Sequence, residues 1–167
     1  MTTTLTRPLT VATPNDTDIL VVRTFNAPRE LVRRCFHTPE FVTQWLLGPG
    51  DWTMPVCEID ARGGGTFKYM WAHADGRSMK MSGTFIEVSP PELTVHRERF
   101  DEDWGGEPTT VTTRFAEADG VTTVTMTISF VSQEARDGAR ATGMTDGMEA
   151  GYARLDSLLA EDRKSVV

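Results

Sequence analysis

The sequence predicts a single α+β domain in which an antiparallel sheet of about seven strands curves around a long C-terminal helix. Two patterns carry this. Between Met54 and Phe130 apolar and polar residues alternate with a period of two, and short turn motifs rich in Gly, Pro and Asp interrupt them. Near the end, Met144, Met148, Tyr152, Leu155 and Leu159 recur at three and four, the spacing of one helix face. Turns this short join neighbouring strands antiparallel. The chain has 167 residues, enough for one well-buried core, and no internal repeat or linker divides it.

Asp18 to Phe25 is β-branched and aromatic and ends at Asn26-Ala27-Pro28, which makes it the first strand. Pro28 suits the start of a short helix carrying Leu31, Val32, Cys35 and Phe36. Thr38-Pro39-Glu40 repeats the signal of a cap, a proline and a first-turn acid, and so starts a second short helix through Phe41, Val42, Trp45 and Leu46. Gly48-Pro49-Gly50 stops it. Strands follow at Met54 to Asp60, at Thr66 to Trp71, at Met79 to Phe85, at Leu93 to Phe100, and in a last hairpin around Ala118-Asp119-Gly120. Ser132 begins a capping pattern, from which one long helix is expected to run to Glu161.

Composition excludes several classes. The hydrophobic share is 39% and the charged share 25%, as in a globular protein, and no apolar run is long enough to span a bilayer. A net charge of −7 argues against broad contact with nucleic acid. Cys35 and Cys57 lie in no metal-binding or redox motif and read as reduced, mostly buried thiols. Residues 1–17 lack the basic start and apolar stretch of a secretory signal and read as a flexible arm of a cytoplasmic protein; 18–161 is the domain, and 162–167 a tail.

Four strings then stand out in order: Arg-Thr-Phe-Asn-Ala-Pro-Arg-Glu-Leu-Val at 23–32, Gln-Trp-Leu-Leu-Gly-Pro at 44–49, Gly-Thr-Phe-Ile-Glu-Val-Ser-Pro-Pro-Glu-Leu at 83–93, and Gly-Met-Thr-Asp-Gly-Met-Glu-Ala-Gly-Tyr-Ala-Arg-Leu-Asp at 143–156. With the order of elements, they resemble the SRPBCC superfamily of START-like, helix-grip proteins. Within it they look like the bacterial single-domain relatives of the activator of heat-shock-protein-90 ATPase, over residues 18–160. The chain departs from many of those relatives at Leu46, where they carry a second Trp. The resemblance implies a sheet gripping the C-terminal helix around a cavity for apolar ligands. In some branches it implies cyclase, hydrolase or co-chaperone work. Eukaryotic chaperone activators add an N-terminal domain, whereas 17 residues precede the first strand here, which weakens the chaperone reading.

Residues expected to line the cavity are Trp45, Phe67, Tyr69, Trp71, Met79, Met81, Met144, Met148 and Tyr152, because they fall on the inward stripes. The methionines suit an adaptable binding surface and an irregular core alike. Gly143, Gly147 and Gly151 interrupt the last helix at a four-residue spacing, either to admit a close neighbour or to leave room for a ligand. Arg97 and Arg99 share a face with Leu93 and Val95. Facing inward they would fork onto an anionic or carbonyl-bearing ligand; facing outward they would be a solvated charge row. Trp104 is either a lid over the mouth or an aromatic tucked against the sheet.

His37, His73 and His96 are not grouped as metal ligands and read as structural, and Gly63-Gly64-Gly65 reads as a turn rather than a phosphate cradle. No metal or cofactor is expected. The residues favour a protein that binds a small apolar or aromatic molecule over an enzyme. A cyclase- or hydrolase-like enzyme assisted by His96 or an Arg is the alternative, and it requires an inward ionisable residue with a polar partner. A chaperone-associated stress-response module or a homodimer is the third reading.

Overall fold

The alternation of β-branched and aromatic residues produces strands, and the positive-φ glycines mark where they turn. The computed structural model describes residues 8–48, 50–101 and 107–165, with side-chain surroundings as far as residue 161. In chain order the elements are β1 (Thr10–Ala12), β2 (Asp18–Phe25), α1 (Arg29–His37), α2 (Pro39–Trp45), β3 (Trp52–Ile59) and β4 (Thr66–His73). Then come β5 (Ser78–Ser89), β6 (Leu93–Phe100), β7 (Thr109–Ala118), β8 (Val121–Ser129), α3 (Gln133–Ala141) and α4 (Met144–Ser165). The strands form one sheet in the order β1-β2-β8-β7-β6-β5-β4-β3, and every neighbouring pair is antiparallel.

Eight strands are described rather than about seven. The addition is β1, in the segment read as an arm: Thr10–Ala12 pairs with β2, and the Leu9 N–H donates to Glu149 at 3.0 Å. Its three residues are exposed, so no burial pattern announces it. The C-terminal helix is also divided. Ser132 caps α3 by accepting the Ala135 N–H at 3.1 Å, but Gly143 takes a φ of 79°, a conformation that ends one helix before α4 begins.

One face of the sheet packs on the helices. Ile19, Val21, Phe25, Val111, Phe115, Val124 and Ile128 meet Val32 and Cys35 of α1, Trp45 of α2, and Tyr152, Leu155 and Leu159 of α4 in a sealed core. Each large apolar side chain buried there contributes about 1.5–3 kcal/mol. Gly151 lets α4 approach α2, since a Cβ at that position would meet the Trp45 carbonyl oxygen at 2.8 Å.

Arg23 occupies the inward stripe of β2 and is 3% exposed. Its guanidinium bonds Glu149 through Nε and Nη2 and Asp156 through Nη1 and Nη2, at 2.8–3.2 Å, so Glu149 and Asp156 of α4 face the sheet rather than solvent. The pairing removes the cost of a lone buried charge and pins α4 in register. No described helix is long and apolar enough to cross a membrane.

Candidate functional site

The two halves of the inner face differ. Beside the sealed core lies a second apolar cluster on β3–β6 beneath α2. Val42, Met54 and Trp71 are buried in it, whereas Leu47, Trp52, Cys57, Ile59, Tyr69, Met79, Met81 and Phe100 are only partly buried. Register explains why these residues share a face. Cys57 lies opposite Tyr69, Tyr69 opposite Met81 and Met81 opposite Phe100, while Trp71 lies opposite Met79. Trp71 also donates its indole N–H to the Leu46 carbonyl at 2.7 Å and so holds the end of α2 over the sheet. The result is a partly open apolar trough. Leu46 touches both clusters and forms the ridge between them.

At the inner end the trough turns polar. His96 lies opposite Phe85 and Glu98 opposite Gly83, which puts both side chains on the inner face. His96 Nε2 and Glu98 Oε1 are 3.3 Å apart, and the two side chains are 18% and 20% exposed. The Phe67 ring stands edge-on to His96, with centroids 5.1 Å apart, and covers Gly83, where a Cβ would overlap it. Burial, reinforced by Cys57 and Glu98, pushes the Tyr69 phenol well above its ordinary range. Burial also pushes up Tyr152, against the pull of Arg23 and with Glu149 and Glu98 adding to the rise. Burial raises the Cys57 thiol to about 11, which keeps it protonated and poorly nucleophilic at neutral pH.

Behind this pair is His37, whose Nδ1 lies 2.8 Å from the Arg33 carbonyl and whose Nε2 lies 3.2 Å from Thr94 Oγ1. A carbonyl accepts only, so Nδ1 carries the proton and the Thr94 hydroxyl donates to Nε2. Burial lowers this imidazole to about 4, with Arg33 and His96 adding to the effect, so it is neutral.

The expected site residues separate. Tyr69, Trp71, Met79 and Met81 belong to the trough, and Phe67 is buried against Tyr69 and His96 beside it. Trp45 and Tyr152 are buried in the first cluster, with Met144 and Met148 partly buried against it; Trp45 donates its indole N–H to the Cys35 carbonyl at 2.9 Å. Arg97 and Arg99 are exposed on the opposite face, across from Thr84 and Ser82. The inward reading of these arginines is therefore corrected: Thr94, His96, Glu98 and Phe100 face the helices instead. Trp104 lies outside the described residues. Trp52, Cys57, Ile59, Glu98 and Phe100 were not foreseen on this face: a register shift between Thr53 and Val56 breaks the alternation of β3, and on β6 the apolar Leu93 and Val95 point to the other face. Among the described residues, no group of three or more His, Cys, Asp or Glu side chains could hold a metal ion.

A sheet gripping a terminal helix, with a partly open apolar face beside it, defines a START-like helix-grip protein of the SRPBCC superfamily. The family described as Activator of Hsp90 ATPase homolog 1-like protein matches residues 26–160, and the chain belongs to it. The solved structures agree. A protein from Rhodobacter sphaeroides is 30% identical, with a TM-score of 0.87 over 93% of this chain and 99% of its own. A protein from Mycobacterium smegmatis, 23% identical, has a TM-score of 0.79 over 91% and 97%. An AHSA1-like protein from Aeromonas hydrophila, 21% identical, has 0.66 over 83% and 93%. No curated protein matches the chain in sequence.

Proposed function

We propose that the trough on β3–β6 binds a small apolar or aromatic molecule. The observation that carries this reading is the contrast between the two clusters. The first is mostly buried side chains, with partly buried ones such as Phe36, Met144 and Met148 at its margin, whereas in the second only Val42, Met54 and Trp71 are buried and Tyr69, Met79, Met81 and Phe100 share one face yet remain partly accessible. Apolar surface left accessible beneath a helix is what a small ligand can cover. Membership of a helix-grip family supports the same reading.

Titration with the neutral fluorophore N-phenyl-1-naphthylamine tests it. The protein should give a saturable rise in emission, and Met81→Lys, which places a charge among Tyr69, Phe100 and Met79, should weaken binding by about tenfold or more. No saturable signal from the parent protein, or equal binding by a folded Met81→Lys variant, refutes the proposal.

The inward His96–Glu98 pair favours one second reading, an acid–base reaction on the bound molecule of the cyclase or hydrolase type. Product formation that disappears in His96→Gln while probe binding persists would establish it; turnover unaffected by that substitution would exclude the pair from chemistry.

A further inference from the structure

Granting that the trough binds a small molecule, its inner end restricts which one. His96 and Glu98 engage each other through a single nitrogen and a single oxygen. Nε2 faces Glu98 Oε1, which leaves Glu98 Oε2 as an acceptor with no hydrogen-bond partner among the described residues. The phenols of Tyr69 and Tyr152 lie within electrostatic reach of Glu98, and Glu98 opposes the ionisation of each.

Arg97, Arg99, Arg23 and His37 do not reverse this polarity. Arg97 and Arg99 are exposed on the far face of β6. The Arg23 guanidinium is already shared between Glu149 and Asp156. His37, behind His96, is neutral, with both nitrogens hydrogen-bonded. An incoming carboxylate would therefore meet Glu98 with none of these four side chains to compensate it, whereas an O–H or N–H group would meet an open carboxylate oxygen.

We infer that the site takes a neutral aromatic or alicyclic molecule bearing a hydrogen-bond donor, a phenol, alcohol or amine, and rejects carboxylate anions of the same shape. The preference comes from Glu98 and owes nothing to the arginines of β6.

Displacement of N-phenyl-1-naphthylamine by naphthalene, 2-naphthol and 2-naphthoate tests this on one skeleton. In the parent protein 2-naphthol should bind about tenfold tighter than naphthalene, with 2-naphthoate weakest. Glu98→Gln should shrink the naphthol advantage and strengthen naphthoate relative to naphthalene by about tenfold. The double substitution Arg97→Gln, Arg99→Gln should leave the order unchanged. If naphthalene displaces the probe but naphthol gains nothing over it, or naphthoate binds as well as naphthol, the donor preference is overturned and the binding proposal survives. If none of the three displaces the probe, and the probe itself does not bind, both fall. Should Glu98→Gln not fold, the order of the three compounds on the parent protein decides the matter alone.

Discussion

Replacing His37 by Gln should flatten the acid sensitivity of the fold. The ring sits between Phe85 and Phe115, at centroid distances of 6.1 Å from each, with both nitrogens engaged by Arg33 and Thr94. A second proton, on Nε2, would make Thr94 turn its hydroxyl hydrogen away and would leave a charged ring buried between the two phenyl rings. Burial accordingly lowers the imidazole from 6.5 to about 4. The unfolded chain takes up this proton as the pH falls below 6.5, while the folded chain resists until about 4. Stability from the neutral ring is therefore complete above 6.5 and is lost progressively between 6.5 and 4. The gap corresponds to about 2 kcal/mol lost between pH 7 and pH 5, rising to about 3 kcal/mol by pH 4.

Urea denaturation of both proteins at pH 7 and pH 5 isolates the effect, because the carboxylates common to both cancel in the comparison. The parent protein should lose about 2 kcal/mol more than His37→Gln, a midpoint difference of about 1 M urea. Parallel losses in the two proteins would show that the imidazole is not held neutral by burial, and the account of this wall of the site would fail.

Two further outcomes follow from named contacts. Arg23→Met removes the guanidinium that Glu149 and Asp156 share and should cost about 3 kcal/mol, whereas adding Glu149→Gln and Asp156→Asn should recover much of it; thermal melts of the single and triple variants decide, and an unaffected single variant refutes the pinning of α4. Cys57, with its thiol near 11, should react with iodoacetamide at pH 8 about a hundredfold more slowly than an unhindered cysteine and gain about tenfold per pH unit up to pH 10; a rate like that of the urea-unfolded chain would contradict its burial.

The elements that depend on local pattern were legible. Alternation in Phe67, Tyr69 and Trp71 marks β4 and its inward stripe, and the turn at Asp119 and Gly120, with φ values of 53° and 78°, is the left-handed pair that a two-residue hairpin requires. Thr38-Pro39 opens α2 where the cap signal places it. Two misreadings came from lack of pattern. The three exposed residues of β1 carry no periodicity, and the run from Ser132 to Glu161 stays helical in propensity on both sides of Gly143, so only the backbone shows the break.

What the sequence determined by itself is the family, the antiparallel sheet around a terminal helix, and the shared face of Tyr69, Trp71, Met79 and Met81, because period-two and period-3.6 patterns record which residues share a face. What only the tertiary structure decided is which face looks inward where both carry mixed chemistry. On β6 the apolar Leu93 and Val95 lie with the exposed Arg97 and Arg99, while the inward row is Thr94, His96, Glu98 and Phe100. Hydrophobic pattern misleads there because the strand lines a polar end of the site, and the hydrogen-bonded register with Phe85, Gly83 and Met81 outweighs the local preference. The same register turns Glu98 to the inner face and leaves Arg97 and Arg99 exposed on the outer one.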